Sequence, residues 1–315
     1  MKKQIFNSTH IEGYLYQHKL EKKVSSANAK NPNTTYIMGT VDLATDDEMT
    51  NIVSIHFTYV TAVTKDGKEN RTFKTLAGII DGTFPSVMKD GKQAAQKFVF
   101  NSNLDTNEFY SDRSGKVELV SAMRNEGGFI STVDALNEDE KARATFDTDI
   151  IIYKVTHVDE DPEKELPEKA IVHGYVMNFR KDFLPVKLSV LNKNAMAYFE
   201  DLEASERKPV FTRVRGNEVS TITVKRVEEE GAFGETFVRE YPNSHKDYVI
   251  NWAKKDPYEI GEDMDLTSEE IKKGLADRET ALATKKADFE ARKANKEAVA
   301  APSAFANSAE EDFNF

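Results

Sequence analysis

The sequence predicts a mainly β protein: two tandem OB-fold-like small barrels with short helices, followed by a C-terminal helix and a disordered acidic tail. Three observations carry this. Apolar residues alternate with period 2 through most of the first 250 residues. Helical spacing is confined to two short segments and one long C-terminal one. The same order of elements occurs twice, with five short strands and one helix in each unit, which is the element count of an OB-type barrel.

IEGYLYQHKL (11–20), TYIMGTVDLAT (35–45) and NIVSIHFTYVTAV (51–63) read as strands. In the last, Val53, Ile55, Phe57 and Tyr59 alternate with Ser54, His56 and Thr58, as in a strand with one wet face. RTFKTLAGIID (71–81) has helical spacing. Further strands are expected at KVELVSAM (116–123), FDTDIIIYKVTHV (146–158), KAIVHGYVMNF (169–179), LPVKLSVLN (184–192) and VSTITVKRV (219–227). NAMAYFEDLEA (194–204) is a second helix, with Met196, Phe199 and Leu202 on one face. Asp66-Gly67, Ser114-Gly115 and Gly216-Asn217 read as turns, and Gly127-Gly128 as a turn or bulge. The capping box Thr267-x-x-Glu270 opens a helix reaching about Ala300. Its apolar stripe is thin (Ile271, Leu275, Leu282, Phe289), which suits a solvated or partly docked helix. After Ala301-Pro302 the composition turns to Ala, Ser, Asn and acids, as in disordered chains.

The repeat places residues 36–130 over 171–240. Gly39 faces Gly174, the helices superpose, and FVFNSNLDTNEF aligns with PVFTRVRGNEV. RNEGGF falls near EEGAFG, and DIIIYKVTHVDEDP resembles DYVINWAKKDP. The expected divisions are therefore 1–160 and 168–257 for the two β units, 258–300 for a linker and charged helix, and 301–315 for the tail. The acidic stretch 159–169, broken by Pro162 and Pro167, reads as the linker between units, and IEGYLYQHKL as an added strand before the first.

Without cysteine, disulfides, thiolate zinc sites and cysteine nucleophiles are excluded. The six histidines show no metal-ligand spacing, and no Walker A loop, G-x-G-x-x-G or G-x-S-x-G occurs. A binding protein without metal or cofactor is expected, not an enzyme. No apolar run approaches the ~18 residues of a membrane span, and MKKQIFNSTHIEGY lacks the apolar core of a signal peptide. A cytoplasmic setting follows as an expectation. The net charge is −11, and residues 257–315 hold 14 acids against 8 bases, so the body is itself acidic.

Basic residues nevertheless cluster with aromatics, as single-stranded nucleic acid requires: cations for phosphates, ring faces for bases. Tyr14, Tyr16, Lys19, Lys22 and Lys23 form one cluster; Tyr175, Phe179, Arg180 and Lys181 another; Phe211, Arg213, Arg215, Lys225 and Arg226 a third. Strand geometry places Tyr14, Tyr16 and His18 on one face. Core packing of the aromatics and edge protection by the basic residues are the alternative readings.

The chain ends in Glu310, Glu311, Asp312, Phe313, Asn314 and Phe315. A barrel body, a low-complexity linker and an acidic peptide closing in Phe resemble the single-stranded DNA-binding proteins of phages and mobile elements. The sequence departs from the bacterial pattern at Asn314, where those proteins carry Pro. The resemblance implies a non-enzymatic protein that coats single-stranded DNA in replication or recombination. Its tail (Glu310, Glu311, Asp312, Phe313, Phe315) would recruit partner proteins. A β-rich virion or assembly subunit, and an RNA-binding accessory protein, are the alternatives.

Overall fold

The computed structural model describes residues 5–161, 167–178, 180–230, 236–261 and 266–300. The elements run β1 (Asn7–His18), β2 (Glu21–Val24), β3 (Thr35–Ala44), β4 (Ile52–Thr61), α1 (Arg71–Ile80), α2 (Val87–Asp90), β5 (Lys97–Ser111) and β6 (Glu118–Thr132). They continue with β7 (Ala144–Val158), β8 (Lys169–Met177), β9 (Phe183–Val190), α3 (Lys193–Asp201), β10 (Val210–Glu230), β11 (Thr236–Ala253) and α4 (Ser268–Ala300).

Two five-membered rings follow from the pairings. In the first, β1 pairs with β3, β3 with β4, β4 with β6, β6 with β5, and β5 with β1 again. In the second, the circuit is β7, β8, β9, β11, β10 and back to β7. Counting strands within each ring, the order is 1-2-3-5-4, with one parallel contact between the third and fifth (β4–β6, β9–β11). A helix joins the third to the fourth strand in both. This is the OB arrangement, twice, and β2 is a short extra strand on β3.

Each ring buries one parity of its strands. Ile11, Leu15, Val41, Leu43, Val53, Ile55, Phe57, Phe98 and Phe100 fill the first, where Leu76 and Ile79 of α1 pack. Phe146, Ile150, Ile152, Val172, Val176, Val186 and Leu188 fill the second, where Met196 and Phe199 of α3 pack. Both helices are capped alike. Asn70 accepts from the Thr72 and Phe73 amides, and Asn192 from those of Asn194 and Ala195. The capping box at α4 forms as expected: the Thr267 amide donates to Glu270 Oε2 at 2.8 Å, and the Glu270 amide to Thr267 Oγ1 at 3.2 Å.

The rings join edge to edge. β1 and β7, the first strand of each, pair antiparallel from Asn7↔Thr148 to Ile11↔Ala144. The long hairpin of the fourth and fifth strands in each ring then leans on the other ring. From β5–β6, Thr106 Oγ1 donates to the Pro185 carbonyl at 2.7 Å, and Met123 Sδ accepts from the Lys187 amide. From β10, the Ser220 amide donates to Asn51 Oδ1 at 2.6 Å, and Glu218 Oε2 accepts from Asn125 Nδ2 at 2.6 Å.

Four expectations are corrected. Residues 144–158 do not close the first unit; they are the first strand of the second ring, equivalent to β1. Hence β1 is no added strand, the stretch 159–169 joins two strands of one ring, and the first ring ends at β6. Second, RNEGGF lies inside β6, opposite β5, whereas EEGAFG belongs to the end of β10 and to undescribed residues, so the two are not counterparts. Third, Gly216-Asn217 is not a turn. It lies inside β10 beside a register shift, and a Cβ at Gly216 would meet the Val249 carbonyl oxygen at 2.0 Å and the Phe146 ring at 2.5 Å. Fourth, a shift between Leu15 and Gln17 returns His18 to the parity of buried Val41, away from Tyr14. Gly127 and Gly128, at φ 65° and 92°, form the expected bulge. Among the described residues no helix is long and apolar enough to cross a membrane, which says nothing of strands.

Two predictions follow from these contacts. Gly216→Ala should lower stability by roughly 1–3 kcal/mol, the usual cost of overpacking, read as a lower urea midpoint at unchanged slope. Burial pushes the Glu218 carboxyl up, against the nearby Lys246 and Asn125. The folded protein therefore holds this proton more tightly than the unfolded chain, and stability falls as pH rises from about 4.5, the ordinary carboxyl value, through the raised one. Glu218→Gln removes that titration, so its melting temperature should gain on the wild type as pH rises through that window.

Candidate nucleic-acid interface

OB barrels take extended ligands on the outer face of their second and third strands. In the second ring that face begins with β8. Ala170, Val172 and Val176 point into the barrel, so Lys169, Ile171, His173 and Tyr175 point out. On neighbouring β7, Ile150 and Ile152 point in and Tyr153 out. The Tyr153 and Tyr175 rings stack with centroids 4.9 Å apart and planes at 29°. Burial raises both phenol pKa values, keeping the rings neutral at ordinary pH. The Arg278 guanidinium, from α4, lies 5.5 Å above the Tyr175 ring centre.

A cavity opens on either side of this pair. One, of about 500 Å³, is lined by Tyr153, Tyr175, Lys169, Lys187, Lys246 and Arg278. The other, of about 470 Å³, carries Arg207, Lys272 and Arg278 against Glu206 and Glu279. The cations are not all unopposed: Lys169 pairs with Asp247 at 3.1 Å, and Lys246 stands 4.0 Å from Glu218. His173 is held below its usual pKa by burial and by Lys187 and Lys154, and so stays neutral.

The first ring presents a second aromatic pair. Tyr36 on β3 and Tyr59 on β4 lie 4.5 Å apart at 35°, and Tyr59 is 43% exposed. Lys23 sits opposite Tyr36 in the β2–β3 ladder and pairs with Glu21 at 2.7 Å. Phe129 on β6 is 79% exposed, the largest exposure among the described large apolar residues.

The residues expected from sequence divide among several places. Tyr14 and Tyr16 point out from β1. Tyr14 meets Lys92 and Lys97 at 5.4 and 5.9 Å from its ring and donates to Asp47. Lys19, Lys22 and Lys23 are exposed, with Lys22 over Phe73 at 6.0 Å. Tyr175 is in the stacked pair. Arg180 and Lys181 are exposed on the β8–β9 turn, where both border a cavity against α4. Phe179 lies outside the described residues. Lys225 and Arg226 stand on the outer β10–β11 hairpin, opposite Tyr241 and Glu240, and their side chains lie outside the described residues. So does the tail of Glu310, Glu311, Asp312, Phe313 and Phe315.

Phe211 is corrected: it is 2% exposed and packs on Tyr258, Ile151 and Ile271, so it offers no face to a base. Arg213 is largely engaged. It forks onto Asp147 at 2.7 and 2.9 Å and lies 4.3 Å over Phe6. Arg215 shares Asp147 at 3.0 Å and covers half-exposed Trp252 at 4.7 Å. Sequence reasoning missed Tyr153, Lys169, Lys187, Lys246, Arg278 and the Tyr36–Tyr59 pair. For Tyr153 the signal was present, since a strand that buries Ile150 and Ile152 must turn Tyr153 outward.

No curated protein matches the chain. A solved structure of a deletion variant of the single-stranded DNA-binding protein from Thermus aquaticus is similar, at 10% identity and a TM-score of 0.43, over 82% of this chain and 98% of that one. The family model of YorF matches residues 5–288, and the chain therefore belongs to the YorF family.

Proposed function

We propose that this protein binds single-stranded nucleic acid, DNA in the first place, without strong sequence preference, on the outer faces of its two rings. The observation that carries the reading is the stacked Tyr153–Tyr175 pair set between two cavities bordered by Lys169, Lys187, Lys246, Arg207 and Arg278. Every base has a π-face, so stacking on tyrosine discriminates little between sequences and is worth ~1–3 kcal/mol per base. Cations beside the rings take the phosphates that follow each stacked base. Tyr36 and Tyr59 give the first ring a comparable platform. The role is that of a coat protein in replication or recombination, and catalysis has no part in it. The acidic tail, ending in Phe313 and Phe315, recruits protein partners through an aromatic anchor and its carboxylates.

Fluorescence anisotropy with a labelled oligo-dT tests this. Binding should weaken linearly in log[salt], and Tyr175→Ala or Tyr59→Ala should each cost ~1–3 kcal/mol, about 5- to 150-fold in Kd. No binding of oligo-dT at low salt would sink the reading; stronger competition by oligo-rU would redirect it to RNA. Deleting residues 309–315 should leave oligo-dT affinity equal or higher, since it removes negative charge, while abolishing capture of host replication proteins. A sharp loss of affinity on deletion would assign the tail to nucleic-acid binding instead.

A further inference from the structure

We infer that Glu108 is an internal occupant of an anion subsite built around Arg278, and that a nucleic-acid phosphate replaces it when the second ring is engaged. The inference rests on the binding function proposed above and specifies how that face is regulated.

Arg278 stands where a phosphate contact is wanted. It lies over Tyr175 and borders both cavities flanking the stacked tyrosines. α4 holds it there by burying Ile271, by packing Leu275 on the same cluster, and by laying Gly274 against the Phe183 ring, where a Cβ would come within 2.1 Å of Cε2. The Arg278 side chain is 18% exposed, and its Nη2 donates to Glu108 Oε1. Its Nε–H is buried with no hydrogen-bond partner among the described residues. A guanidinium has five donors in a fixed fork and binds phosphate bidentately. Here the visible acid contact is through Nη2, and a donor is left over.

Glu108 does not belong to this ring. It comes from β5, on the hairpin that the first ring extends across β9, and is 8% exposed. Ser121 Oγ donates to Glu108 Oε1 at 3.2 Å, and Lys285 of α4 donates to the Glu108 carbonyl at 3.2 Å. So the carboxylate is presented to Arg278 by a separate hairpin and can be exchanged without unpacking either barrel. A phosphodiester offers the same charge and more acceptor oxygens, and the neighbouring Tyr153–Tyr175 platform would hold its bases. Glu218 contrasts with it. The two share an Asn-Glu pair in the fourth strand, yet Glu218 is bound by Asn125, with Lys246 at 4.0 Å, and faces no arginine among the described residues.

The experiment is oligo-dT anisotropy over a salt series with full-length Glu108→Gln, Arg278→Gln and Arg278→Lys. Glu108→Gln keeps the shape and the Ser121 contact but removes the negative charge that faces Arg278. It should bind several-fold tighter, with a log–log salt slope steeper by about 0.7, one more phosphate contact on a single strand. Arg278→Gln should bind more weakly, with a slope no steeper than wild type even when combined with Glu108→Gln, and Arg278→Lys should restore the response. An unchanged slope in Glu108→Gln at wild-type melting temperature overturns the inference and makes the pair purely structural. Should Glu108→Gln fail to fold, Arg278→Gln decides: wild-type affinity overturns the inference, and a loss that Arg278→Lys restores supports it. If wild type binds no oligo-dT, the functional reading has failed; if Tyr175→Ala and Tyr59→Ala weaken binding while these variants do not, only the subsite has failed.

Discussion

The antiparallel pairing of β1 with β7 is the contact on which the rest of the molecule depends. Each is the first strand of its ring and uses one edge inside that ring, β1 with β5 and β7 with β10. The other edge is divided: its C-terminal half closes the ring (β1–β3, β7–β8), and its N-terminal half is left for the partner strand. An open strand edge is a liability, and here each ring covers the other's. Asn7 fixes the joint. Its Nδ2 donates to the Leu104 and Met177 carbonyls at 3.0 and 3.1 Å, and its Oδ1 accepts from the Leu104 amide. One side chain thus ties the first strand of one ring to the fourth strand of its own ring and the second strand of the other.

The joint decides where the hairpins go. With first strands antiparallel, the β5–β6 hairpin reaches β9, and the β10–β11 hairpin reaches the start of β4. The outer face of the second ring is therefore walled by a hairpin from the first ring on one side and by α4 on the other. What remains open lies around Tyr153 and Tyr175. The first ring lines one of the two cavities there, through Leu119, Ser121 and Met123 of β6, whereas the other is built by the second ring and α4.

The barrel content of this chain was legible because apolar residues alternate with strand period, and both connecting helices show helical apolar spacing at the same place in the element order. The phase of the repeat was harder to read. FDTDIIIYKVTHV and DYVINWAKKDP share an Asp before an apolar run, and such a run reports burial without reporting which ring buries it. A bulge is equally silent, which is why His18 was placed with Tyr14. Phe211 fails for another reason. It faces outward from β10, opposite Ile151, but Tyr258 and α4 cover that stretch, a tertiary fact with no local trace. Arg278 and Glu108 lie 170 residues apart and meet only because a helix and a hairpin cross.

The charge of the chain bears on how such a site works. A net charge of −11 repels a polyanion at long range, so on the proposed function the net charge works against the encounter. Screening confines that repulsion to about 8 Å at physiological salt, and inside that distance the local set counts. Around Tyr153 and Tyr175 the local set is Lys169, Lys187, Lys246, Arg207 and Arg278, several already facing a carboxylate. A phosphate entering there exchanges one anion for another, a smaller gain than meeting a bare cation. The aromatic faces are partly engaged as well: Tyr153 and Tyr175 stack on each other, the Phe183 ring meets Tyr175 edge-on at 6.4 Å, and the Arg278 guanidinium lies over Tyr175. On the function proposed above, affinity would come chiefly from stacking on the ring faces left open, with the cations setting the path of the backbone.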